Sequence, residues 1–328
     1  MNNYSIYLKK GKCTYCSNSI VIHRKYSGEK LCPTCFEQSI EKNIYKTISK
    51  YKMFKPQDKI VVALSGGKDS ITLLNNLINI QKKSYHSEPL IALTIDEGIN
   101  GYRDKSIRYA IEFCKKFNIE HKIISLEDRI GKSLDEIINI KKKTTEYKYA
   151  CNYCATFRRR LLNDGAKELG GTVLAIGHNL TDVAETFLMN ILHKRLNLIS
   201  SQFFFKQEDL DISRYFIKKV MPLIRIPEEE IFMYANIKNL NYYPSHCPYR
   251  ESDPILRKRV LNFIQESKKY SPEIEFNLLN DFLELSEILY HHYEKGMINF
   301  CQQCGYPCGN SKACSYCTLK KEIMNEEN

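Results

Sequence analysis

A short apolar run that ends in two glycines and passes at once into a helical pattern leaves few folds open. Residues 59–64 read Lys-Ile-Val-Val-Ala-Leu, apolar after the first residue and β-branched at Ile60, Val61 and Val62. Such a run suits a strand buried on both faces, and strands of that kind belong to parallel sheets covered by helices. Ser65-Gly66-Gly67-Lys68-Asp69-Ser70 follows, and residues 69–80 have helical spacing. The alternation then continues. Strands are predicted over 90–95, 120–126 and 172–176, and helices over 103–117, 132–142, 152–169 and 180–192. Strand–helix alternation of this length predicts an α/β fold with a doubly wound parallel sheet.

Outside that region the pattern changes. Residues 37–54 carry Ile40, Ile44 and Ile48 at helical spacing. Residues 196–224 show no regular period. A helix is expected over 227–239, with proline in its first turn and Glu228, Glu229 and Glu230 at the positive end of its dipole. Two amphipathic helices are expected over 254–265 and 274–292. The expected division is a zinc module over 1–36, a linker helix over 37–58, a catalytic domain over 59–293 and a second zinc module over 294–328.

The Gly-Gly turn has a chemical consequence. Backbone N–H groups of a strand-to-helix turn face outward and receive anions. Gly66 and Gly67 let the main chain approach a phosphate, Ser65 and Ser70 offer hydroxyls, and Lys68 adds charge. The segment lacks the Gly-x4-Gly-Lys-[Ser/Thr] span of a Walker A loop.

Thirteen cysteines are the second constraint. Cys13, Cys16, Cys32 and Cys35 form two Cys-x-x-Cys pairs, the spacing of a tetrahedral zinc site. Cys301, Cys304, Cys314 and Cys317 repeat it at the other end, with Cys308 as a spare thiol that competes as a ligand. His23, between the first pairs, reads as a surface residue. A zinc ion held by four thiolates is net negative by about two charges, so the formal +11 of the chain overstates its basic surplus. That surplus is concentrated early: residues 1–60 hold twelve Lys/Arg against four Asp/Glu. Cys114 falls on an apolar helical face and reads as core. Cys151, Cys154 and the proline-flanked Cys247 remain. As three thiolates they would leave one metal position open, as a catalytic centre requires; a redox pair with an unrelated thiol is the other reading.

Ser-Gly-Gly-x-Asp-Ser after a strand resembles the PP-loop of the N-type ATP pyrophosphatases. Further segments fall into line: Ile95-Asp96-Glu97-Gly98-Ile99, Gly101-Tyr102-Arg103-Asp104, Gly177-His178-Asn179-Leu180-Thr181-Asp182, Cys151-Asn-Tyr-Cys154 before Phe157-Arg158-Arg159, and His246-Cys247-Pro248-Tyr249. With cysteine pairs at both ends, the chain resembles the tRNA 2-thiouridine synthetases of the TtuA/NcsA type.

The resemblance implies an enzyme that uses ATP and Mg2+ to adenylate the C2 oxygen of uridine, releases pyrophosphate, and then replaces AMP with sulfur. It implies a [4Fe–4S] cluster on Cys151, Cys154 and Cys247 whose fourth iron is free for hydrosulfide; a cysteine persulfide is the competing route. Ser65, Gly66, Gly67, Lys68, Asp69 and Ser70 are expected at the phosphates, with Asp69 orienting the loop or holding Mg2+. Thr94, Ile95, Gly177 and His178 are expected at the adenosine, and Asp182 at Mg2+ or a proton. Arg158 stands where some relatives have lysine, keeping charge but not proton transfer. Lys141, Lys142, Lys143, Lys148 and Arg158, Arg159, Arg160 are candidate tRNA contacts. Implied partners are tRNA, a ubiquitin-like thiocarboxylate protein or sulfide as donor, and a second copy of the chain. The start of the sequence shows no secretory signal and no apolar run spans a membrane, so a cytoplasmic location is expected. A chain without the Glu/Lys enrichment of hyperthermophiles favours the wobble uridine over the T-loop. A 2-thiocytidine synthase and a non-catalytic zinc RNA-binding protein are the alternatives.

Overall fold

Five strands build one parallel sheet at the centre of the computed structural model, which describes residues 9–83, 87–143, 149–200, 214–249, 255–293, 299–308 and 311–324. Ahead of the sheet lie two small antiparallel pairs, β1 (Lys9–Lys12) with β2 (Ser19–Ile20) and β3 (Ile22–His23) with β4 (Lys30–Leu31). Helix α1 (Pro33–Lys50) follows. It begins four residues before the expected start because Pro33 suits a first helical position and the Cys32 sulfur accepts from Cys35 N–H at its cap.

The sheet comprises β5 (Ile60–Ala63), β6 (Ile91–Asp96), β7 (Glu120–Ser125), β8 (Val173–Ala175) and β9 (Lys218–Val220), in the order β7-β6-β5-β8-β9. Helices α2 (Lys68–Gln81) and α3 (Arg103–Phe117) connect the first strands. The expected helix over 132–142 is α5 (Leu134–Lys141), opened by a capping box of Ser133 with Glu136; before it lies a short helix that the sequence pattern does not predict, α4 (Leu126–Ile130), ended by Gly131 at a positive φ of 89°. Next come α6 (Ala150–Glu168), α7 (Leu180–Leu192) and α8 (Leu196–Ser200). The chain continues through α9 (Glu228–Ile237), α10 (Ile255–Ser267), α11 (Ile274–Tyr293) and α12 (Ser315–Met324).

The sequence pattern did not reveal β9. Its Lys-Lys-Val carries almost no apolar signal, which suits an edge strand that lysine protects from further pairing. Phe203, Phe204 and Phe205, in the same irregular stretch, lie outside the described residues.

Side chains alternate across the sheet. Val62 and Ala92 face a core that contains residues of α1, α2, α3 and α9, while Val61, Ile91, Leu93 and Ile95 face α5, α6 and α12. Strand order reverses at β5, whose two neighbours β6 and β8 lead away on opposite sides. In such a sheet the crevice beyond the carboxyl ends of the strands at the reversal receives ligands.

The N-terminal unit is fastened to this body by a buried ion pair. Arg24 meets Glu230 at 2.7 Å, each side chain 2% exposed. Tyr26 Oη donates to Glu230, and Arg24 also donates to Ser39. Removing one partner of such a pair strands the other charge in the interior. Arg24→Met is expected to cost about 3–5 kcal/mol in urea unfolding. Adding Glu230→Leu should return most of that loss.

Candidate active site

The turn after β5 is held in shape by its own hydroxyls. Ser70 Oγ accepts from Ser65 N–H at 3.1 Å, lies 3.0 Å from Ser65 Oγ, and donates to the Gly67 carbonyl at 3.1 Å. Gly66 has a φ of +83°, and a Cβ there would stand 1.9 Å from the Ser106 carbonyl oxygen. Only glycine fits that backbone position. Gly177, after β8, packs against the start of α2, where a Cβ would come 3.2 Å from Ser70 N.

Arg103 joins the ends of β5 and β6. It donates to the carbonyls of Ser65 and Ile95, pairs with Glu97 at 2.5 Å, and is itself buried. Across the turn, Asn179 caps α7: its side chain accepts from Asp182 N–H at 2.9 Å, and the Asp182 carboxylate accepts from Asn179 N–H at 3.2 Å. The same Asn179 donates to Asp69 at 3.1 Å. Burial raises the Asp69 pKa against the pull of Lys68, with Asp182 adding repulsion. Lys68 Nζ lies 2.9 Å from Asp69 and 2.7 Å from Glu228. Burial opposes its charge, but the two carboxylates outweigh burial and raise its pKa. His178 is pushed the other way, towards neutrality, by burial first and by Arg158, Arg159 and Arg257 as well.

The cavity bounded by these groups, ≈4190 Å³, is also lined by Cys151, Cys154 and Cys247. Cys151 and Cys154 sit in the first turns of α6, where an i, i+3 spacing puts both on one face. Cys247 lies on a separate loop, after α9. Its loop is tied to the phosphate turn by Tyr243 N–H, which donates to the Gly66 carbonyl at 2.9 Å. The Tyr243 ring packs on Tyr102 and Tyr109, and Tyr249 Oη donates to Asp135 at 2.7 Å. Burial pushes the Cys154 thiol up to about 12, against the opposing charge of Arg158, and both other thiols lie within its electrostatic reach. Arg158 in turn is held charged by Cys154 and by Glu97, whose carboxylate is 3.5 Å away.

Two further groups of sulfur atoms each gather within 4.8 Å: Cys13, Cys16, Cys32 and Cys35, and Cys301, Cys304, Cys314 and Cys317. Cys16 is 3.5 Å from Cys32, and Cys304 is 3.7 Å from Cys314. Thiolates on one tetrahedral zinc stand about 3.8 Å apart, so both sets fit such an ion. Cys308 stands outside the second set, donating instead to the Ser311 carbonyl at 2.9 Å. Cys151, Cys154 and Cys247 form no group that tight. Their donor chemistry fits a cluster, in which each soft thiolate binds a different iron and the sulfur atoms stand wider apart.

Several expectations require correction. Thr94 is fully buried inside β6, where its hydroxyl donates to the Leu64 carbonyl and meets His121, so its side chain does not face the cavity; Ile95 does. Lys141 is 1% exposed and lies 4.0 Å from Glu322, which withdraws it from the surface available to RNA. Arg160 is engaged by the C-terminal cysteine module. Lys148 lies outside the described residues. Cys114 is core, as its helical face predicts, with burial pushing its thiol up to about 12, and His23 is exposed, as expected. The sequence pattern shows Glu228 and Arg257 only as parts of helices. Arg257 pairs with Glu185 at 2.8 Å and lies 3.6 Å from Asp182, a meeting of α10 and α7 that periodicity does not register.

Comparison with known proteins gives a consistent assignment. The PP-loop domain family matches residues 36–263, and the family described as "2-thiouridine synthetase TtuA, N-terminal LIM domain" matches residues 12–37. The chain is 35% identical to a probable sulfurtransferase of Methanocaldococcus jannaschii, covering 98% of this chain and 92% of the other. It is 33% identical to the tRNA 2-thiolation protein NcsA of Haloferax volcanii, covering 95% and 99%. Among solved structures, the U34-tRNA thiolase NcsA of Methanococcus maripaludis with its [4Fe–4S] cluster is 32% identical, with a TM-score of 0.77 over 95% of this chain and 96% of the other.

Two outcomes follow from the turn and its charges. Gly66→Ala should abolish binding of ATP or pyrophosphate in calorimetry, since the clash is with backbone. Glu228→Gln should strengthen that binding about twofold to fivefold, the scale of one partly exposed ion pair that no longer competes for Lys68.

Proposed function

The chain belongs to the PP-loop family of TtuA/NcsA-type tRNA thiolases, and from that premise we propose that it adenylates the C2 oxygen of the wobble uridine and replaces that oxygen with sulfur. The observation that carries the reading is the shared wall of the cavity: the loop bearing Cys247 is hydrogen-bonded to the turn that would receive the phosphates.

The division of labour follows from the residues. Backbone N–H groups at the start of α2, with Ser65, Gly67 and Ser70, would bind the ATP phosphates, and Lys68 would neutralise the charge that develops on departing pyrophosphate. Asp69 and Asp182, linked through Asn179, would hold Mg2+ on the same phosphates, with proton transfer as the other role open to Asp182. Ile95, Gly177 and His178 border the adenosine, and a neutral His178 suits contact with a base. The uridine C2 oxygen attacks the α-phosphorus, pyrophosphate leaves, a sulfur nucleophile adds at C2 and AMP departs. Arg158 would stabilise the oxygen charge as the adenylate forms and breaks.

Cys151, Cys154 and Cys247 would ligate the [4Fe–4S] cluster, which when bound supplies an open iron position for a sulfur ligand. The two four-cysteine sets would each hold zinc. The N-terminal module, basic in sequence, would contact the tRNA backbone, and the chain would divide into modules at 1–36, 37–58, 59–293 and 294–328. Sulfide or a ubiquitin-like thiocarboxylate protein as donor, a cytoplasmic setting and a homodimer belong to the same reading.

Anaerobic iron analysis and turnover of tRNA test it. Wild type should bind about four irons per chain and form AMP, pyrophosphate and 2-thiouridine when tRNA, ATP and sulfide are supplied. Cys151→Ser, Cys154→Ser and Cys247→Ser should each lose the iron and the thiolated product. Wild type that forms no AMP under these conditions would overturn the enzymatic reading, and thiolation confined to the T-loop would overturn the wobble assignment.

A further inference from the structure

The helix that carries two of the three cavity thiols is also the seat of the C-terminal cysteine module. α6 bears Cys151 and Cys154 at its start and Arg160 less than two turns beyond. Between them Phe157 meets the Tyr316 ring edge-on, centroids 5.6 Å apart. The Arg160 guanidinium lies 3.7 Å from the centroid of Tyr306 and 5.0 Å from that of Tyr316. Its Nη1 donates to the Cys304 sulfur at 3.6 Å, and its Nε pairs with Asp164 at 2.6 Å. Leu319 and Ile323 of α12 are buried in the same core as Ala150, Tyr153 and Phe157. From the far side, Tyr306 Oη and Asn163 Nδ2 donate to one carbonyl, that of Tyr215, at 3.2 and 2.9 Å.

We propose that Arg160 is a clamp through which the C-terminal four-cysteine metal site holds the first turns of α6, and with them Cys151 and Cys154, in position. The proposal rests on the zinc and cluster assignments above. A zinc ion on four thiolates is net negative, and a guanidinium beside one of its sulfur atoms offsets part of that charge. The planar face of arginine stacks on the two tyrosines at the same time, a combination that lysine cannot reproduce. The metal fixes Cys304, and so gives Arg160 a fixed partner. Without the metal, the start of α6 keeps its apolar contacts but loses its charged anchor. Arg160 is therefore a positioning residue: it acts on the cavity thiols through the helix they share.

The test uses the full chain, loaded with zinc and then reconstituted anaerobically with iron and sulfide. Arg160→Gln, Arg160→Lys and Cys304→Ser are compared with wild type, and Cys16→Ser in the N-terminal set is the control. Amide hydrogen exchange over residues 150–160 should accelerate about tenfold in the first three, with exchange over residues 68–81 unchanged. Iron retained after desalting should fall at least about threefold. Cys16→Ser should alter neither reading. Tyr306→Leu keeps the charge and removes the closer of the two stacked rings; it should give an intermediate loss, and it serves where Arg160→Gln does not fold. Wild-type exchange and iron retention in zinc-loaded Arg160→Gln or Tyr306→Leu would overturn the clamp, as would an equal effect of Cys16→Ser. If wild type itself retains no iron, the cluster assignment fails, and the exchange data alone still decide the clamp.

Discussion

One backbone hydrogen bond joins the two chemistries of this cavity. Tyr243 N–H donates to the carbonyl of Gly66, so the loop that brings Cys247 rests on the turn that follows β5. That turn is itself possible only because residue 66 has no Cβ, which would otherwise strike the Ser106 carbonyl. The sheet reversal at β5, the glycine and the returning loop converge on one point. A reaction that first activates an oxygen and then displaces it with sulfur needs its nucleotide and its sulfur source side by side, and the phosphate turn and the three thiols line one cavity.

Charge is distributed so that the parts of the chain depend on one another. The three acidic residues that open α9 reach in three directions: Glu228 to Lys68 of the phosphate turn, Glu229 to Lys268 at the end of α10, and Glu230 to Arg24 of the N-terminal unit. Their sequence position satisfies the helix dipole. Their tertiary role is larger, because the buried Arg24–Glu230 pair fixes the N-terminal unit beside the helix whose first residue meets Lys68. At the opposite end Arg160 does comparable work between α6 and the C-terminal cysteines.

Much of this was legible in the chain. Apolar runs mark β5, β6 and β8, since strands buried on both faces need continuous apolar residues, and helical periods mark α2, α3, α5 and α6; β7, a largely exposed edge strand, is marked too, but the short α4 is not. The edge strand β9 was not legible, because an edge needs little burial and tolerates lysine. The Gly-Gly turn and both four-cysteine sets were also readable, as their chemistry demands particular residues at fixed local spacing. The orientations of Thr94 and Lys141 were not legible, because a strand residue near the site and a lysine near a helix end do not announce which way their side chains face.

Sequence alone therefore determined the fold class, the anion-binding turn and the two four-cysteine groups, each a matter of local pattern or short spacing. Tertiary structure alone decided that Cys247, ninety-three residues after Cys154, shares a cavity with it, that Cys308 is left out of its neighbouring set, and that Glu228, Arg257 and Arg160 face the partners they do. The physical reason is that covalent spacing constrains only neighbours, whereas a charge or a thiol meets distant groups through the packing of whole helices on the sheet.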